Sequence, residues 1–148
     1  MGIFSNLMKE KISGKQFVHN GIHVCSHLTE MYQKNQFRVS PNNPETGAID
    51  EIDLVVEMHM NINELAIKEM VVGANPYLNQ AFEFYRSGDT MSALLNISDA
   101  IVSFEGWQNH VIPEADFYDK YDLLVEQFSQ LLEIIQKVNS QKAVFIKD

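Results

Sequence analysis

AIDEIDLVVEMHMNINELAIKEMVV, residues 48–72, decides the architecture, because it carries two periods at once. At helical spacing Asp50, Asp53, Glu57, Asn61, Glu64 and Lys68 fall on one narrow polar stripe. Apart from Glu51, His59, Asn63 and Glu69, the other positions are apolar or alanine. That is the pattern of a helix buried around most of its circumference. At a spacing of two, Leu54, Val56, Met58, Met60 and Ile62 alternate with Glu57, His59, Asn61 and Asn63, as in a half-buried strand. The helical stripe holds over the longer span, and Met and Glu favour helix. The stretch is therefore expected to be a helix, with a strand over 48–63 as the competing arrangement.

Working outward, Gly73-Ala74-Asn75-Pro76 is expected to end this helix, since glycine and then proline follow its last periodic residues. Upstream, RVSPNNPETG at 38–47 reads as a loop. In it Asn43 can cap a helix with Pro44 at its first position, or Gly47 can supply positive φ for a hairpin. Before the loop, Phe17, Val24, Cys25, Leu28, Met31 and Tyr32 share one face of a helix over about 15–37. Ile3, Phe4, Leu7, Met8 and Ile12 make residues 1–14 a short amphipathic segment, expected to be helical over 2–12 and to dock on the protein's own core. Downstream, residues 76–87 and 89–105 read as two helices joined by a tight turn at Ser87-Gly88-Asp89, followed by a break at 106–113. Phe117, Tyr121, Leu124, Phe128, Leu131, Ile135 and Val138 alternate spacings of four and three, a heptad seam on a helix over 114–140. Residues 141–148 form a tail. The expected fold is all-α, one helical domain over 1–148 with five or six helices.

The chain has 148 residues and a net charge of -9. The charge is unevenly placed: residues 1–38 sum to +3, residues 39–133 to -14 and residues 134–148 to +2. So acidic a middle repels phosphate backbones and argues against nucleic-acid binding. No apolar run approaches the roughly 20 residues that cross a bilayer. The opening MGIFSNLMKEK matches neither a secretory signal, its lysines following its apolar residues, nor the myristoylation pattern, Asn6 standing where Ser or Thr is needed. Cys25 is the single cysteine, so no internal disulfide forms. A cytoplasmic protein is expected.

HNGIHVCSHLTE, residues 19–30, is the one stretch that suggests a metal or catalytic site. Taking His19 as zero on a helix, Glu30 lies at about 20°, His23 at about 40° and His27 at about 80°, while the apolar face centres near 190°. The histidines point away from the core. Cys25, at about 240°, is on the apolar side and cannot pair with them. His23 and His27 have the i, i+4 spacing that holds an ion in helical zinc sites, with Glu30 one turn on. His19 to His27 spans about 12 Å, so all three cannot share one ion, and His59 and His110 stand alone. No metal, no cofactor and no catalytic residue is expected. His59 is expected to be hydrogen-bonded inside the bundle.

NPYLNQAFEFYRSGDTMSALLNISDAI, residues 75–101, resembles one tetratricopeptide repeat unit. Ala81, Ala93 and Ala100 are small where two antiparallel helices must approach, Gly88 permits the turn and Asp89 caps the second helix. Gln80, Thr90 and Glu105 depart from the family pattern, and no second unit follows, although a solenoid needs about three. The resemblance implies a partner-facing set of Asn75, Leu78, Phe82, Tyr85 and Arg86.

The function expected from these features is that of a non-catalytic adaptor or chaperone-like protein binding a peptide or protein. One alternative is an acidic inhibitor, an immunity or anti-defence protein, neutralising a basic toxin or nuclease through Asp53, Glu57, Asp119 and Asp122. The other is a metal-dependent enzyme using His23, His27 and Glu30. The broad apolar arc around the 117–138 seam, flanked by Tyr118, Val125 and Leu132, also suggests a homodimer. Neither membrane nor nucleic acid is an expected partner.

Overall fold

A computed structural model describes residues 8–40 and 49–147, with residues 49–56 and 59 described through their backbone alone. The described chain is mostly helical. Helix α1 spans Gly14–Gln33, α2 Ile49–Ser87, α3 Thr90–Ser103 and α4 Tyr118–Asn139. Four short strands accompany them: β1 (Glu10–Ser13), β2 (Phe37–Val39), β3 (Val111–Pro113) and β4 (Ala143–Ile146). Single 3-10 turns at Trp107–Asn109 and Ala115–Phe117 bridge α3 to β3 and β3 to α4. Among the described residues no helix is long and apolar enough to cross a membrane.

Residues 49–63 are helical, so the strand alternative fails. The helix count is four among the described residues, not five or six, and the main reason lies at Pro76. Instead of stopping at Gly73, α2 continues to Ser87, 39 residues in all, with Pro76 inside it. Asn63, Ile67, Val71, Ala74, Leu78 and Ala81 are buried in sequence along one side, and that seam crosses the proline without a change of phase. Pro76 itself is exposed, as is Val72, whose carbonyl loses its usual donor there, so water can serve that carbonyl. Tertiary packing overrides the local stop signal.

The ends also differ from expectation. Residues 10–13 are a strand and not the end of a helix, and the tail is a strand too. β1 and β4 pair in parallel, Glu10 opposite Ala143 and Ser13 opposite Ile146. Lys137 on α4 bonds Glu10 at 3.1 Å and Glu133 at 3.4 Å, holding the ribbon against α4. Arg38 and Val39 of the expected loop belong to β2, which pairs antiparallel with β3, Phe37 opposite Pro113. Asn43, Pro44 and Gly47 lie outside the described residues. The helix expected from 114 begins at Tyr118, after the 3-10 turn.

α1 packs across the α2–α3 hairpin, and α4 lies chiefly on α1. Ser13 caps α1, its hydroxyl accepting from the Gln16 amide at 3.1 Å. Gly88, at φ 85°, makes the turn into α3, and Asp89 caps that helix through the Ser92 amide at 3.1 Å. Phe17, Val24, Leu28, Ile97, Ile101, Phe104 and Trp107 form the centre of the core. One buried polar group sits at its edge. Asn63 Nδ2 donates to the Ser40 carbonyl, and His110 Nδ1 lies 2.6 Å from Asn63 Oδ1. Because Asn63 Oδ1 can only accept, His110 Nδ1 carries the proton in this pair. The group ties α2 to the ends of β2 and β3.

α1 approaches α3 closely at Gly21. A methyl there would stand 2.5 Å from Ile97 Cγ1 and 3.2 Å from Ile101 Cδ1. Gly21→Ala gains about 1 kcal/mol of helix propensity but overpacks this crossing, which costs about 1–3 kcal/mol. Urea denaturation should show a net loss of stability. A variant at least as stable as the parent would contradict the close crossing.

Candidate functional site

The histidine stretch does face away from the core, but it does not face open water alone. His23, His27 and Glu30 of α1 and Lys34 at its end face Phe117 of the 3-10 turn and Lys120, Tyr121, Leu124 and Gln127 of α4, with Gln36 also lining the space. Together with Met31 and Leu123 they line a half-open cleft of about 450 Å³. The rings of His23 and His27 lie 4.3 Å apart. His27 Nδ1 is 2.9 Å from the His23 carbonyl, which only accepts, so that nitrogen carries a proton and Nε2 is left for other partners. Glu30 bonds Lys34, and this pairing, with His27 nearby, holds its carboxyl below the ordinary value. Lys120 has no ion-pair partner among the described residues.

Below the cleft, Tyr121 turns its hydroxyl inward. That oxygen and the Trp107 indole nitrogen are both buried, and neither has a hydrogen-bond partner. The indole lies near enough to offset a little of the burial that pushes the phenol up to about 12, but not in bonding geometry. Among the described residues no three His, Cys, Asp or Glu side chains come together in a way that could hold a metal ion. Cys25 is fully buried on the other side of α1, and burial pushes its thiol up to about 12.

The partner-facing set on α2 is split by the fold. Phe82 is 46% exposed, with the Arg86 guanidinium 5.6 Å above its ring. Asn75 is exposed, and Tyr85 is half-buried, its hydroxyl 3.4 Å from His19 Nδ1 on α1. Leu78 belongs to the core at 7% exposure and is removed from the set. Of the acidic set, Glu57 is exposed on α2, Asp119 and Asp122 are exposed on α4, and the side chain of Asp53 lies outside the described residues, as does that of His59.

A further surface went unread in the sequence. Met58, Ile62, Leu65 and Val72 on α2 are all exposed, spaced along the side away from the buried seam. Met91, Leu95 and Val102 do the same on α3. The polar stripe at 57, 64 and 68 suggests that polar residues face solvent; the apolar residues beside it do so too, because they lie on the side of α2 away from its buried seam.

Comparison of the chain with family models, with curated proteins and with solved structures finds no match.

Two outcomes follow from this geometry. Cys25 should resist a thiol reagent such as dithionitrobenzoate in the native protein and react fully in denaturant, since a buried thiol yields little thiolate. Rapid labelling without denaturant would contradict its placement. His23 is held below the ordinary imidazole value, first by partial desolvation and then by His27 and His19. Its folded pKa therefore lies below its unfolded one, so the unfolded chain binds the proton more tightly. The stability linked to this group is full above about pH 6.5 and is lost as pH falls through the window just below that value. The melting temperature should drop on acidification through this window, and His23→Gln should lessen the drop.

Proposed function

We propose that the protein is a non-catalytic binding module, an adaptor or chaperone-like protein of the cytoplasm that holds a peptide or protein partner on α2. The observation that carries this reading is the exposed Phe82 with Arg86 stacked over it. Aromatic and arginine side chains are the residues that most often anchor protein interfaces. A large ring left nearly half exposed on a rigid helix gives a partner apolar area, and the guanidinium gives it a charge and a planar fork. Three residues on from Phe82, Tyr85 meets His19 of α1, and Asn75 lies about two turns before Phe82 on α2. Phe82 is not part of the buried core, so its truncation removes a contact surface without opening a cavity.

The experiment begins with affinity capture from the native host and identification of the retained partner by mass spectrometry. Phe82→Ala with Arg86→Ala should then abolish capture and leave the melting temperature within a few degrees of the parent, since surface substitutions change stability by about 0.5 kcal/mol or less. Asp119→Lys with Asp122→Lys should leave capture intact and only mildly salt-dependent. The reverse ranking, with capture lost on charge reversal and weakened steeply by salt, would favour the acidic-inhibitor function in its place.

A further inference from the structure

We propose that the cleft between α1 and the start of α4 is a binding site for a small organic anion with an apolar body, such as an aryl or alkyl carboxylate, sulfonate or phosphate ester. Charge sets the ligand's head group. The whole chain is at -9, yet this cleft brings two lysines, Lys34 and Lys120, against one acid, Glu30, which Lys34 already engages. Lys120 is the single cation in the sequence between Arg86 and Lys137, a stretch rich in acids, and the fold turns it into this cleft. With no carboxylate paired to it among the described residues, Lys120 keeps its charge available for a ligand.

Shape and lining set the rest of the ligand. At about 450 Å³ the cleft falls in the range of small-molecule sites. Its walls are largely apolar, with Phe117 and Leu124 opposite the imidazoles, so a flat or branched hydrocarbon body is better accommodated than a hydrated inorganic ion. The two histidine rings, 4.3 Å apart, present an aromatic surface on one side, and the Lys34 and Lys120 ammonium groups offer charged contacts at the mouth. An anion entering head-outward would meet these cations while its body displaced water from the apolar wall. The site is separate from the Phe82 surface on α2, and its occupancy does not depend on a protein partner being bound there.

The test uses the full chain and two dyes, the anionic 8-anilinonaphthalene-1-sulfonate and the uncharged N-phenyl-1-naphthylamine, followed by fluorescence. The anionic dye should bind saturably at one site, and the uncharged dye about tenfold more weakly, because it lacks the charge-assisted contacts. Lys34→Gln with Lys120→Gln should weaken the anionic dye by about tenfold or more and leave the uncharged dye unaffected. Met91→Ser with Leu95→Ser, on the exposed face of α3, should change neither. Circular dichroism melts check that the lysine variant, altered only at exposed positions, stays folded. Absence of saturable binding, equal affinity for both dyes, insensitivity to the lysine variant, or loss of binding in the α3 variant would each overturn the proposal.

Discussion

Two helices touch through a missing side chain. At Gly21 the α1 backbone lies directly on Ile97 and Ile101 of α3, and every larger residue there would hold the helices apart. Phe17, Val24 and Leu28 reach the same core from α1 because the crossing is this close, and Phe104 and Trp107 fill the volume beyond it. α4 then uses the remaining side of α1, seating Tyr121, Leu124, Phe128 and Leu131. A wider crossing would leave the α2–α3 hairpin with one helix neighbour fewer and its buried isoleucines open to water. The second constraint is polar. Asn63, almost fully buried, must keep both Ser40 and His110 as partners, since a buried amide without them is costly. It thereby sets where β2 and β3 approach α2.

How much of this was readable in the sequence depends on the range of the forces involved. Periodicity showed the helices, because each helix declares its buried face over several turns: the seam from Tyr121 to Leu131 is buried as spaced, and so is the apolar face of α1. The stop at Gly73–Pro76 misled, because glycine and proline report local preference while the seam from Asn63 to Ala81 reports packing across a whole neighbouring helix. The turn at Gly88 was legible for the opposite reason: there the backbone itself demands positive φ. β1 and β4 were not legible at all. Four residues carry too little period to be recognised, and their pairing joins positions more than 130 apart in sequence. The histidines were rightly turned from the core. What spacing could not show is that α4 runs beside that outer face, so that Lys120, one more solvated charge when read alone, completes a cleft.

The parallel ribbon of β1 and β4 has a consequence of another kind, for the way the molecule carries load. The two strands run in the same direction, with Glu10 beside Ala143 and Ser13 beside Ile146. A pull applied to the chain before β1 and after β4 drags the strands past one another along their length. The ladder hydrogen bonds are then strained together in shear and do not open one at a time like a zipper, and the Lys137–Glu10 pair lies across the same junction. Nearly all the described helices lie between those two strands in sequence. A force transmitted through the chain would have to break this short clamp before it could reach the helical core.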